Sequence, residues 1–287
     1  MSFSSDIKNS LCRIPLECPR CMTAELAGML RMSGKISDGE IKFTTENQSV
    51  IKRAESDLSE GFGISRDVSD KDNSKVYRLL IDDMFEVENI TERILSEDIM
   101  PLACCRASFV RGAFLGSGSV SNPEKSYHLE FDTKIKGEAE FLQNILLQEG
   151  FTSKITYRKG HHIVYIKECE TIADILGYIG AGKSALEMFT IQIEKEMRNS
   201  VNRRVNCENA NADKSARASG KHLVAIRKIE AAKKMEDLPD VLKEIAMLRL
   251  EFPEDSLKEL GEKTDPPIGK SGVNHRLNRI LEFAENL

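Results

Sequence analysis

The sequence predicts an α+β fold in which two similar lobes, related by a pseudo-twofold axis, precede an all-α helix-turn-helix domain. Three observations predict it. A glycine-bearing segment occurs twice, as Leu26-Ala-Gly-Met-Leu-Arg-Met-Ser-Gly34 and Val110-Arg-Gly-Ala-Phe-Leu-Gly-Ser-Gly118, at a constant offset of 84 positions. A matching order of helical and strand patterns follows each copy. Beyond residue 198 strand patterns vanish and basic charge gathers.

Each glycine segment reads as a helix with small residues on one face. Both copies continue into an apolar residue and a serine, Ile36-Ser37 and Val120-Ser121. Glycine inside a helix costs about 1 kcal/mol relative to alanine, so close backbone contact is the expected compensating gain. Ala27 and Gly28 in one copy, and Gly112 and Gly116 in the other, are therefore the expected lobe interface.

In the first lobe, Glu40–Thr45 alternates as a strand, and Ser49–Leu58 reads as a helix stopped by Gly61 and Gly63. A polar turn over Asp70–Ser74, a strand over Val76–Ile81 and a helix over Thr91–Ile99 follow. In the second, the glycine helix spans Cys105–Gly116, with a strand over Tyr127–Asp132 and an amphipathic helix over Glu138–Gln148. Lys154–Arg158 and His162–Ile166 form a hairpin around Lys159-Gly160, and a helix covers Ile172–Tyr178. The repeated unit is glycine helix, strand, helix, strand pair, helix.

A long helix over residues 184–206 then leads into an Asn- and Asp-rich ordered linker, Cys207–Asp213, and a basic helix over Lys214–Lys234 with Leu223, Ile226 and Ile229 apolar. Pro239 starts a helix with Val241, Leu242, Ile245 and Leu248 inward, and Pro253 ends it. Ser256-Leu-Lys-Glu259 is a capping box for a short helix. After the turn Thr264–Lys270, Ser271 caps the last helix. Val273, Leu277, Ile280, Leu281 and Ala284 share one face of it; Asn274, His275, Arg276, Asn278 and Arg279 fall on or beside the other. The implied division is a first lobe over 1–100, a second over 101–198, a basic linker over 199–220 and a helix-turn-helix domain over 221–287.

Composition narrows the function classes. The chain is 40% hydrophobic and 30% charged, as soluble globular proteins are. No apolar run reaches the roughly 18 residues that a membrane helix needs. Residues 1–20 are polar and broken by Pro15 and Pro19, unlike a signal peptide, so a cytoplasmic protein is expected, with no membrane and no small-molecule substrate. Seven cysteines, an odd number with Cys104 and Cys105 adjacent, do not make a disulfide framework. Cys18 and Cys21 have zinc-knuckle spacing, but no second CxxC or CxxH exists to complete four ligands. They read as loop thiols before the first helix, and no metal or cofactor is expected.

The net charge of −5 hides a division. Residues 1–100 carry 13 basic and 19 acidic side chains, whereas residues 198–234 carry ten and three. That asymmetry points to a polyanion partner for the C-terminal part. Arg203, Arg204, Arg217 and Lys221 are the expected phosphate contacts. Lys270, Ser271, Asn274, His275, Arg276, Asn278 and Arg279 are the expected groove residues, because Arg suits guanine and Asn suits adenine in the major groove. Arg276 is the foremost base reader in this reading, and the N–H groups of Gly272 and Val273 are expected to face a phosphate.

The repeated segment and the lobe order resemble the LAGLIDADG homing endonucleases. In those enzymes the eighth motif position is acidic and binds the catalytic metal; here it is Ser33 and Ser117. A neutral hydroxyl cannot replace a carboxylate as the anchor of a hard cation. Two-metal phosphodiester cleavage then lacks ligands at its centre, and the resemblance implies an inert LAGLIDADG-like scaffold with no catalytic residue.

An inert pair of such lobes followed by a helix-turn-helix resembles the WhiA family. The stretches that carry the likeness are Arg111-Gly-Ala-Phe-Leu115, Asn202-Arg-Arg-Val-Asn-Cys-Glu-Asn-Ala-Asn211 and Pro266-Pro-Ile-Gly-Lys-Ser-Gly-Val-Asn-His-Arg276. The resemblance implies a nucleoid-associated, sequence-specific transcription regulator that binds double-stranded DNA and acts in cell division, chromosome segregation or sporulation. The N-terminal lobes would then take a second transcription factor or a division protein. The alternatives are an active homing-type endonuclease and a protein-interaction factor of the division machinery.

Overall fold

A computed structural model describes residues 2–37, 39–66, 69–70 and 76–287; residues 71–74 of the expected polar turn lie outside them. The chain forms two compact units, residues 1–196 and 197–287.

In the first unit, α1 (Phe3–Leu11) and the glycine helix α2 (Pro19–Ser33) precede β1 (Lys35–Ser37), β2 (Glu40–Thr45), α3 (Gln48–Phe62), β3 (Ser69–Asp70), β4 (Tyr77–Ile81) and α4 (Met84–Leu95). The second glycine helix, α5 (Ala103–Ser117), precedes β5 (Gly118–Val120), β6 (Leu129–Thr133), α6 (Lys136–Gln148), β7 (Lys154–Arg158), β8 (His161–Ile166) and α7 (Cys169–Tyr178). Each lobe holds a four-stranded antiparallel sheet, ordered β1-β2-β4-β3 in one and β5-β6-β8-β7 in the other. The repeat seen in sequence is thus a repeat of topology.

Three features depart from the expected unit. A short strand follows each glycine helix directly, holding Ile36-Ser37 in the first lobe and ending at Val120 in the second. Helix α4 starts at Met84 rather than Thr91, because the Asp83 carboxylate accepts from the Phe85 and Glu86 N–H groups at 3.0 and 3.1 Å and caps it there. Helix α1 has no counterpart in the expected order, where the N-terminal stretch is polar; Ser2 caps it, and Ile7 and Leu11 bury its apolar stripe.

The glycine helices meet at backbone distance. A Cβ on Gly28 would lie 2.1 Å from the Phe109 carbonyl oxygen, and one on Gly112 would lie 1.9 Å from that of Glu25. Gly116 faces Ser33 Oγ and the Met29 carbonyl in the same way, and Ala27 is buried. Leu26, Met29 and Leu30 from α2 and Phe109, Val110 and Phe114 from α5 are fully buried in one core. A charge also lies in this seam. Glu25 is fully buried and accepts from Arg53 Nε and Arg111 Nε, each at 2.6 Å. Arg111 also donates to Ser108 Oγ at 2.9 Å. One carboxylate, with both oxygens engaged, therefore ties α2 to α3 and α5, and Arg53 Nε also stands 3.4 Å from the buried Asp57.

Helix α8 runs over Gly182–Ala231. The expected linker at Cys207–Asp213 is helical, as is all of 199–220. Residues 183–219 contain neither Gly nor Pro. Asn and Asp lower helix propensity by under about 1 kcal/mol each, too little to break a helix already running through Ala and Arg. The second unit completes with α9 (Asp240–Glu251), α10 (Leu257–Glu262) and α11 (Lys270–Glu285). Its own core gathers Ile226, Ile229, Leu242, Ile245, Leu260, Val273, Leu277 and Ile280. Pro239 is the N-cap of α9 rather than its first residue, and Val241, expected inward, is exposed in its first turn.

Candidate nucleic-acid interface

Helices α10 and α11 and the turn between them are built from local chemistry. Ser256 Oγ accepts from the Glu259 N–H at 3.3 Å, and the Glu259 carboxylate accepts from the Ser256 N–H at 2.7 Å, so the capping box is formed. The turn folds back onto α10: the Ile268 N–H donates to the Gly261 carbonyl at 2.9 Å, and the buried Thr264 hydroxyl lies 2.9 Å from that same oxygen. A Cβ on Gly261 would stand 2.2 Å from the Ile268 carbonyl, so this approach requires glycine. Arg249, buried at the end of α9, donates to the Asp255 carbonyl at 2.7 Å and holds the α9–α10 connection.

Helix α11 begins earlier than its sequence indicates. Gly269, not Ser271, is the N-cap, with extended backbone and no side-chain cap. The Val273 N–H is already spent on the Gly269 carbonyl at 3.2 Å. The N–H groups ahead of the first intrahelical bond are therefore those of Lys270, Ser271 and Gly272. Val273, Leu277, Ile280 and Ala284 are buried. Lys270, Ser271, Asn274, His275, Asn278 and Arg279 are exposed.

Arg276 differs. It is half-buried, its Nη1 lies 3.2 Å from Glu244 Oε2, and Glu244 Oε1 accepts the Asp265 N–H at 2.8 Å. The foremost reader of the sequence expectation is thus engaged as a clamp from α11 to α9 and the turn. The sequence offered no signal for this, because an acid 32 positions away becomes a neighbour only through packing. Arg203, Arg204, Arg217 and Lys221 are exposed along α8.

Ser33 Oγ donates to the Met29 carbonyl at 2.9 Å and Ser117 Oγ to the Ala113 carbonyl at 3.3 Å, each folded back on its own helix. Asp132, on the cleft beside them, is paired with His161. Among the described residues, the grouping able to hold a metal is Cys18, Cys21, Cys104 and Cys105, far from a hard-cation site in chemistry. Cys18 is the N-cap of α2 and Cys21 lies within it, buried, so these are not loop thiols ahead of the first helix. The missing second pair, sought at CxxC spacing, is the adjacent Cys104-Cys105.

Family models match along the chain: the WhiA N-terminal LAGLIDADG-like domain over residues 19–94, the WhiA LAGLIDADG-like domain over 106–198 and the WhiA C-terminal HTH domain over 201–284. The chain belongs to the WhiA family. Its WhiA relatives include the probable cell division proteins WhiA of Alkaliphilus metalliredigens, 40% identical over 99% of this chain and 98% of that protein, and of Clostridium novyi, 39% identical over 100% and 98%. The crystal structure of full-length DUF199/WhiA from Thermatoga maritima aligns over 100% of this chain and 99% of that one, at 27% identity and a TM-score of 0.64. The WhiA architecture, LAGLIDADG-like lobes followed by an HTH domain, is therefore that of this chain. Among the described residues no helix is long and apolar enough to cross a membrane.

Proposed function

We propose that this chain is a non-catalytic, sequence-specific regulator that binds double-stranded DNA through its C-terminal unit and acts in bacterial cell division and chromosome segregation. The observation that carries the reading is the division of α11 into two faces. Val273, Leu277, Ile280 and Ala284 are buried, and Lys270, Ser271, Asn274, His275, Asn278 and Arg279 form an exposed polar row from the start to the middle of the second helix of a helix-turn-helix. In this reading Asn278 and Arg279 take over the base-reading role from Arg276, which positions the helix. Arg203, Arg204, Arg217 and Lys221 contact phosphates, which set register without reading sequence. The WhiA relatives are named as cell division proteins, which supports the process.

The experiment selects duplexes from a random pool with the full-length chain, then titrates variants at one salt concentration. Asn278→Ala and Arg279→Ala should lose about 1–3 kcal/mol of discrimination, about 5- to 150-fold, on selected duplexes and little on scrambled ones. Arg217→Ala and Lys221→Ala should weaken binding to every sequence. They should also flatten the salt slope by about 0.9 for each phosphate left without its cationic partner. Equal weakening on both duplexes for Arg279→Ala would reassign it to the backbone. No DNA binding at low salt would favour the protein-interaction reading.

A further inference from the structure

The two glycine helices begin at one point, and four cysteines converge there. Cys18 is the N-cap of α2 and Cys21 its third residue; Cys104 and Cys105 are the second and third residues of α5. The four sulfurs all lie within 4.8 Å of one another. Cys18 Sγ stands 3.4 Å from Cys21 Sγ, 3.7 Å from Cys105 Sγ and 3.9 Å from Cys104 Sγ. Cys21 and Cys105 are fully buried, whereas Cys18 and Cys104 are half-buried and leave a path to solvent.

These spacings match one chemical object. A zinc–thiolate bond of about 2.3 Å sets the sulfurs of a tetrahedral site about 3.8 Å apart, which the three separations from Cys18 bracket. Disulfide sulfurs would be about 2.05 Å apart, and all seven cysteines are free. A polynuclear iron–sulfur cluster interposes its own sulfides and irons between its thiolates and needs a wider cage than this one. The N-terminal ends of two helices, the positive poles of their dipoles, point at the cluster and offset part of the cost that burial places on a thiolate.

The cluster lies on the internal repeat. Cys21 and Cys105 are 84 positions apart, the offset of Gly28 from Gly112, and occupy the third position of their helices. The two buried sulfurs are therefore equivalent under the pseudo-twofold relation, and each lobe supplies two of the four.

We propose that Cys18, Cys21, Cys104 and Cys105 bind a single zinc ion as a tetrathiolate site that staples the two lobes together at the N-terminal ends of the paired glycine helices. The ion sits at the opposite end of those helices from Ser33 and Ser117, where the LAGLIDADG-like motif would carry a catalytic metal. Its role is structural: four protein ligands leave no open coordination position for a substrate. Binding displaces the remaining thiol protons and adds its free energy to the association of the lobes.

The test begins with the full-length chain purified in reductant without chelator, its metal content measured by atomic emission. About one zinc per chain is expected. Replacing zinc by cobalt should give tetrahedral d–d bands in the visible and thiolate-to-cobalt charge-transfer bands in the near ultraviolet. Cys104→Ser, at a half-buried ligand, should lose the metal or bind it far more weakly. Cys207→Ser, at the exposed cysteine of α8, should keep it. Stripping with a mercurial and chelator should lower the melting temperature of wild type and leave Cys104→Ser unchanged. The wild-type measurements stand even if a variant fails to fold. Zinc well below one equivalent after reconstitution, with no cobalt charge-transfer band, would overturn the proposal. So would iron with acid-labile sulfide, or a Cys18–Cys21 disulfide in the chain purified anaerobically.

Discussion

His222 shows how a single residue records its surroundings. It is buried in the second unit, and its Nδ1 lacks a hydrogen-bond partner among the described residues. Burial, with the Arg249 charge nearby, lowers its pKa below the ordinary 6.5. The folded state thus holds a neutral imidazole, while the unfolded chain takes up a proton below about pH 6.5. A depressed folded pKa contributes stability above the unfolded value and loses it as pH falls, by at most about 1.4 kcal/mol per pH unit. Denaturant unfolding of the full chain between about pH 7.5 and about pH 5 should show this slope in the second unit. His222→Gln should remove it. A slope that survives the substitution would assign the titration to another group. Arg276 makes a related point: an arginine that suits guanine on paper is held by Glu244 in the folded domain, whereas Asn278 and Arg279, in the next turn of α11, are exposed.

At the scale of elements, the paired glycine helices are the feature with least tolerance. Gly28 and Gly112 face carbonyl oxygens at distances no Cβ can occupy, so the backbones themselves must separate to admit a side chain. Gly112→Ala should destabilise the first unit by about 1–3 kcal/mol or more through overpacking. Gly220→Ala is the control. A Cβ there meets open space inside α8, and removing a helical glycine should be neutral or stabilising by up to about 1 kcal/mol. Calorimetry of the full chain reads both. A Gly112→Ala melting temperature equal to wild type would show that the helix pair yields without cost. The buried Glu25 and its two arginines sit on this same seam, so the pairing of helices joins steric fit to a satisfied charge.

For the molecule as a whole, the question is whether LAGLIDADG-like lobes retain chemistry. The hydroxyls of Ser33 and Ser117 point back to their own helices, and Asp132, the carboxylate bordering the same cleft, is paired with His161. A hard divalent cation is held by several anionic oxygens, and neither serine hydroxyl supplies one. Purified chain with magnesium or manganese should therefore leave supercoiled plasmid intact. Cutting that disappears when Ser33 or Ser117 is replaced would sink the scaffold reading. The acidic excess of residues 1–100 agrees with it, because net negative charge opposes a phosphate backbone.

By itself the sequence determined the architecture and its order: two α+β lobes, then helices. A strict 84-residue repeat, period-2 and period-3.6 patterning, and a capping box are local signals, and local signals survive in a linear string. It also determined that the glycines would lie between helices, since nothing else compensates their cost twice at one spacing. Helix starts were less legible. Asp83 caps α4 with its carboxylate, Gly269 caps α11 with no side chain to mark it, and the Asn-rich stretch at 207–213 stays helical because nothing interrupts it. The tertiary structure decided everything that depends on distant residues becoming neighbours. It engaged Arg276 with Glu244, buried Glu25 between Arg53 and Arg111, and brought Cys104 and Cys105 to Cys18 and Cys21. The cysteine site was half-legible: Cys21 and Cys105 carry the same offset as the glycines. The remaining two, Cys18 and Cys104, break the repeat, and only the convergence of two helix ends supplies the fourth sulfur.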